Sequence, residues 1–228
     1  MTRRDTALRI SYFIKGSAVQ LLFLAIYLAA AGRWDWFWGW LYTILFVGMN
    51  LATVLGVDPG LLVERATKPR DAKAWDRPYV LLAAALLPLL SGAVAGLDLR
   101  FGWGPEIPPA VQWTATVVVV IGFAIVVAAM WANRFFSAVV RIQTDRAHSV
   151  ATGGPYRVVR HPGYVGAILF TVGMPVMLGS VWALIPAVLA GLVYVLRTRK
   201  EDDTLKAELP GYREYAQQTK FHLIPGLW

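Results

Sequence analysis

The chain has 228 residues, of which 57% are hydrophobic and 16% charged, too little polar surface to coat a soluble globule of that length. It carries a net charge of +8 and no cysteine, which excludes disulfides, thiolate metal sites and a cysteine nucleophile. Its three histidines, His148, His161 and His222, lack the close spacing of an H-x-x-x-H site, so no metal centre is expected.

Five apolar stretches follow one another along the chain. The first runs from Tyr12 to Ala31; with Arg3, Arg4 and Arg9 ahead of it and Ala29-Ala30-Ala31 at its end it imitates a secretory leader, but it is long for one and reads as a retained span. Trp36 to Val57, Tyr79 to Gly96 and Trp113 to Ala132 are likewise close to the ~20 residues that a helix needs to cross the hydrocarbon core. The fifth, Gly163 to Leu196, has 34 residues, about 51 Å as a straight helix, far more than a ~30 Å core accepts. Gly179-Ser180 lies at its midpoint with Pro175 and Pro186 on either side, so the sequence predicts two short arms folded back on a tight turn. The expected architecture is an all-α integral membrane protein of about six membrane helices, four spans plus a C-terminal hairpin, with a cofactor cleft on the cytoplasmic side. Thr204 to Tyr215 should add two short amphipathic helices interrupted at Pro210-Gly211.

Charge sets the orientation. Among the 22 lysines and arginines only Arg33 and Arg100 fall in the loops after the first and third spans, and Lys15 lies inside the first span; the rest collect on the other side. That side, with both termini, is therefore expected to be cytoplasmic, at the inner or plasma membrane if the source is bacterial. The basic excess needs no nucleic acid: topology and anionic membrane lipid account for it. Most of the ten tryptophans flank spans, as an interfacial belt would. The loop Asp58 to Pro78 reads as a surface lid or a lipid-facing loop, and the chain as a single domain in which residues 1–132 form a four-span region and 133–228 carry the chemistry. Nothing in the sequence fixes the oligomeric state.

Three motifs stand in order in the last part of the chain: Arg160-His161-Pro162-Gly163-Tyr164-Val165-Gly166, then Glu201-Asp202-Asp203-Thr204-Leu205, then Gly211-Tyr212-Arg213-Glu214-Tyr215. They resemble the R-H-P-x-Y-x-G, E-E-x-x-L and G-x-x-Y-x-x-Y signatures of the isoprenylcysteine carboxyl methyltransferase family and its phospholipid methyltransferase relatives, here in a prokaryotic-type form. The resemblance covers roughly the last 95 residues and implies S-adenosylmethionine as methyl donor, with S-adenosylhomocysteine as product. It also implies Gln143, His148, Ser149, Val150, Ala151 and Tyr156 along the cofactor cleft, Glu201 holding the cofactor, and Arg197 facing the acceptor. Asp202 stands where the family usually has a second glutamate.

The residues themselves support part of this. Pro162 suits a first helical position, whose free N–H groups and positive dipole favour an anion; Arg160 and His161 strengthen that preference, Gly163 and Gly166 leave backbone accessible, and Tyr164 offers a ring and a hydroxyl. The same tripeptide also describes a plain helix start. Arg197 and Glu201, four apart, equally describe a helical ion pair. Methyl transfer needs no enzyme nucleophile, consistent with a sequence that shows no Ser/His/Asp set and no P-loop pattern. The expected reaction moves the methyl group to a lipophilic small molecule or lipidated acceptor bearing a carboxylate, amine or thiol. A membrane NADPH-dependent reductase of sterols or isoprenoids, and a small transporter or adaptor, are the competing readings; the near absence of charge within the spans weighs against an ion pathway.

Overall fold

In the computed structural model, which describes residues 3–66 and 71–228, every regular element is a helix. Four helices are long and apolar enough to cross a membrane: α1 (Arg3–Ala31), α2 (Phe37–Gly56), a compound helix spanning Asp76 to Phe101, and α6 (Pro109–Ala132). The compound helix consists of α4 (Asp76–Leu81), one π turn (Leu82–Leu86) and α5 (Leu87–Phe101). Between α2 and α4 lies the short α3 (Pro59–Ala66); the lid expected over Asp58 to Pro78 falls partly on residues 67–70, outside the described residues.

The fifth apolar run folds back where its punctuation predicts. α7 (Pro162–Leu178) ends at Gly179, which adopts the left-handed conformation (φ 87°), and the Ser180 N–H donates to Pro175 O at 2.9 Å to close the turn. Ser180 Oγ accepts the Ala183 N–H and donates to Asp98 of α5 at 2.6 Å, so a carboxylate from another helix pins the hairpin tip. α8 (Leu184–Glu208) returns the chain.

Two boundaries differ from expectation. α1 begins at Arg3 rather than Tyr12, because Arg9 is not a loop residue: its guanidinium donates to Val54 O and Val57 O, carbonyls at the C-terminus of α2 that need donors and favour a cation. The first of the two predicted tail helices does not exist separately. No breaker interrupts the chain before Pro210, so α8 continues through Glu208, and only α9 (Tyr212–Gln218) stands alone after Gly211 (φ 81°).

Apolar side chains face outward along the long helices, Leu22, Ile44, Leu55, Val117 and Leu192 among them, while buried polar residues such as Gln20, Thr43, Asn50 and Ser91 turn inward. This inside-out distribution is what a lipid environment demands. Glycine sets the closest helix crossings. A Cβ on Gly166 would stand 2.4 Å from Gly122 O and 2.9 Å from Val126 N, and one on Gly96 would stand 2.6 Å from Tyr27 O. The motif glycine Gly166 was expected to expose backbone; instead it lets α7 lie backbone to backbone on α6, the small-residue contact that holds helices together in lipid. Gly163 is similarly covered, by the Phe136 ring.

Gly166→Ala should therefore lower the melting temperature in detergent, at an overpacking cost of about 1 to 3 kcal/mol. Gly191→Ala, whose new methyl would meet its nearest neighbours at 3.6 and 3.9 Å, should leave it unchanged or raised; equal losses in the two would discard this account of the crossing.

Candidate functional site

The turn that joins α7 to α8 brings their far ends back to one place, and a buried carboxylate fastens them there. Asp202, 1% exposed, accepts hydrogen bonds from Arg160 Nε (2.8 Å) and the Tyr212 hydroxyl (2.9 Å). It also lies 3.3 Å from His161 Nε2, 3.1 Å from His222 Nε2 and 2.6 Å from Lys206 Nζ. All three motifs meet on this one group. Burial by itself would raise the Asp202 carboxyl, but the hydrogen bonds from His161 and Lys206 and the charges of His161 and Arg160 hold it well below the usual carboxylate range. Arg160 continues into the C-terminal tail, donating to the carbonyls of Thr219 and Lys220 at 3.0 Å each.

Above this hub lies a cavity of about 760 Å³, within the range of small-molecule sites. At its polar end it is lined by Tyr156, Arg160, His161, Gly163, Tyr164, Arg197 and Glu201, and by the strap His148, Ser149, Val150 and Ala151. Tyr164 donates its hydroxyl to Glu201, and its ring stacks on His161 at 5.8 Å. From there the cavity runs between α1, α2, α5 and α7 past Phe23, Phe46, Met49, Ala83 and Phe170, where the lining turns apolar.

Three residues expected against a cofactor stand behind the wall. Gln143, 1% exposed, spends its amide on Phe135 O at 2.8 Å and on Arg146. Pro162 is buried at the start of α7, and Asp202 lies beneath His161. Arg160 was expected to face an anion; its guanidinium is committed to Asp202 and the tail, so the α7 N-terminus lacks that cation.

Arg197 is also already partnered. Its Nε and one terminal nitrogen donate to Asp76 at 2.7 and 3.0 Å, and the same nitrogen reaches Ala138 O at 3.0 Å. The guanidinium carbon lies 5.2 Å from the centre of the Tyr164 ring, which leaves Nη1 as the nitrogen with no partner among the described residues. The helical pair with Glu201, open on sequence grounds, does not form. Asp76 is fully buried and also accepts the Val140 N–H at 2.7 Å, so it tethers the segment after α6. Sequence reasoning missed it because it sits in a loop read only as a surface element; its one signal was an acid in the first turn of a membrane helix. Glu64 was missed in the same loop. It accepts Arg141 Nε and Nη2 at 2.9 and 2.7 Å, and that pairing holds its carboxyl below the usual range.

His148 Nδ1 accepts the Gln143 N–H at 3.2 Å, so the neutral ring carries its proton on Nε2. Burial, reinforced by Arg141 and Arg146, pushes its pKa from 6.5 down to about 4. The residue before it, Ala147, is the non-glycine with positive φ among the described residues (52°), a local cost of roughly 1 to 2 kcal/mol that the strap sustains.

Fold and cavity together define the class: a helical membrane protein in which one hairpin closes a large cavity, polar at one end and apolar at the other. Within that class the C-terminal half has known kin. Residues 111–208 match the phospholipid methyltransferase family. A probable protein-S-isoprenylcysteine O-methyltransferase of Oryza sativa subsp. indica is 36% identical over 104 residues, 45% of this chain and 51% of that one. Protein-S-isoprenylcysteine O-methyltransferase B of Arabidopsis thaliana is 34% identical over 89 residues, 38% of this chain and 45% of its own. The chain thus spans about half the length of the curated relatives it matches.

Two outcomes test this electrostatic picture. Asp202→Asn should cost about 3 to 5 kcal/mol of stability, because it strips the countercharge from a buried arginine; a melting temperature within a degree of the parent would contradict it. For His148 the folded chain resists protonation while the unfolded chain accepts it at ordinary pH, so stability should fall as pH drops from 6.5 toward 4. Burial lowers His222 too, and it adds to that loss with the same sign. Melting curves of His148→Asn between pH 7.5 and 5 should show a shallower decline than those of the parent.

Proposed function

We propose that the chain is an integral-membrane methyltransferase that moves the methyl group of S-adenosylmethionine to a lipophilic acceptor at the cytoplasmic face of the membrane, with both termini on that face. The observation that carries this reading is the single cavity, whose polar end gathers the strap 148–151, Tyr164, Arg197 and Glu201 while its other end runs apolar among four helices. Two ligands of opposite character, one a nucleoside and one a lipid chain, fit such a volume end to end. The names of the relatives, protein-S-isoprenylcysteine O-methyltransferases, support a lipidated carboxylate as the acceptor class.

The residues present fit the donor. Glu201 is bonded only through the Tyr164 hydroxyl among the described residues, so a carboxylate oxygen remains to accept ribose hydroxyls. His148, Ser149, Val150 and Ala151 form the opposite wall, and Tyr156, Tyr212 and Tyr215 close the end with aromatic surface. The domain division follows: residues 133–228 grip the donor, and the helices of 1–132 wall the acceptor channel.

S-adenosylmethionine supplies an electrophilic methyl group on sulfur, so the protein's task is alignment and the exclusion of water. Arg197, held flat against Tyr164 and anchored by Asp76, offers its free Nη1 to the acceptor's oxygen and fixes the direction of attack. A carboxylate acceptor arrives ionised and requires no base. An amine would have to lose a proton, and Glu201 is the carboxylate that faces the cavity. Asp202, behind the wall and fully engaged, orients His161 and Tyr212 and does not touch the reactants.

S-adenosylhomocysteine should raise the melting temperature of the purified protein and NADPH should not; the reverse would favour a reductase with the same architecture. Glu201→Gln should weaken S-adenosylhomocysteine binding about tenfold or more, the worth of a charge-assisted hydrogen bond. Arg197→Lys should leave that binding intact and cut transfer of labelled methyl to membrane lipid, since lysine cannot keep both the two-point bond to Asp76 and a free N–H.

A further inference from the structure

The cations around the cavity do not balance. Five line it: Lys15, Arg65, Arg141, Arg160 and Arg197. Three are matched by buried carboxylates, Arg141 by Glu64, Arg160 by Asp202 and Arg197 by Asp76. Lys15 and Arg65 have no acid within ion-pair distance among the described residues. Arg65 instead donates to the Tyr12 hydroxyl at 2.9 Å and to Phe136 O at 3.2 Å. Tyr12 and Lys15 are three apart on α1 and share a face, so both cations belong to one corner. Glu201 is the single carboxylate on the lining.

That corner is also an opening. Ser11, Lys15 and Val19 of α1 and Ala84 of the π turn line the cavity and are nevertheless exposed, which places a lateral mouth between α1 and the α4 to α5 helix. Lys15 lies about 18 Å along α1 from its start at Arg3, at a rise of ~1.5 Å per residue, inside the apolar stretch. An ammonium group there, with no acid in ion-pair distance among the described residues, is available to an anionic group of a ligand.

We infer that Lys15, with Arg65 held beside it through Tyr12, is a selectivity element that admits amphiphiles with one apolar chain and an anionic head. Carboxylate and phosphate heads share the required chemistry. The head meets the lysine at the mouth as the chain lodges among Phe23, Phe46 and Phe170. Only the naming of this amphiphile as the methyl acceptor rests on the function proposed above; the anion preference itself does not.

The test uses the full chain in nanodiscs of neutral lipid at pH 8.5, with cis-parinaric acid as fluorescent probe displaced by hexadecanoate, hexadecyl phosphate or hexadecanol. At least one anionic competitor should displace it about tenfold more strongly than the alcohol, the worth of one hydrogen-bonded charge. Lys15→Gln should reduce that ratio to about twofold, and Lys15→Arg should retain it. Lys15 is exposed and partners no other described side chain, so neither variant should alter the melting temperature or its response to S-adenosylhomocysteine. Equal displacement by the alcohol and both anions, or a full preference in Lys15→Gln, overturns the inference. An anion preference without any stabilisation by S-adenosylhomocysteine keeps the corner and removes the methyltransferase reading instead.

Discussion

Everything at the polar end of the molecule depends on one buried negative charge. Asp202 collects a guanidinium, two imidazoles, a phenol and an ammonium, and these donors come from the α7 start, the α8 exit, α9 and the tail. A carboxylate taken out of water is tolerated only when its oxygens are fully engaged. The converse holds for its partners, because Arg160 is also buried and has no other countercharge among the described residues. Each element is thus held in place by the uncompensated buried charge that its departure would leave behind. The cavity wall built on His161 and Tyr164 is firm because its support sits behind it, out of reach of any ligand.

The same device recurs at the junction between the two halves of the chain. Asp76 and Glu64 come from the segment between α2 and α5, and Arg197 and Arg141 from beyond α6. Both pairs are buried, and both shape the cavity indirectly: Asp76 and Arg197 hold Ala138 and Val140 against α8, and Glu64 holds Arg141 against α3. Arg197 keeps one nitrogen without a partner among the described residues, so a residue that is structurally saturated on one side retains a donor on the other.

How much of this was legible in the sequence follows from the range of each interaction. The hairpin was legible because its length exceeds a bilayer and its breakers, Pro175, Gly179, Ser180 and Pro186, are local; helix α7 starts at the proline that signalled it. The grouping of His148, Tyr164, Arg197 and Glu201 around one cavity followed from that hairpin and from the motifs. The partner of Arg197 did not, since it lies 121 residues away and no periodicity connects an acid in a basic loop with a distant helix. Gly166 was read for what a glycine exposes, whereas its role is decided by Gly122, and a contact between two glycines leaves no trace in either neighbourhood. Gln143 was placed by the family resemblance alone; the left-handed turn at Ala147 brings His148 back onto the Gln143 backbone, and the Gln143 amide turns inward to Phe135 O.

The Asp76–Arg197 and Glu64–Arg141 pairs carry a consequence for evolution and for engineering. The segment that matches the phospholipid methyltransferase family, residues 111–208, does not carry all of its own ion-pair partners. Transplanted alone it would bring Arg197 without Asp76, Arg141 with the exposed Asp145 but without the buried Glu64, and an Arg160 parted from the tail carbonyls of Thr219 and Lys220. A chimera that swaps this segment between relatives would have to carry the α2 to α5 connection and residues 209–228 along with it, however different those stretches look in sequence.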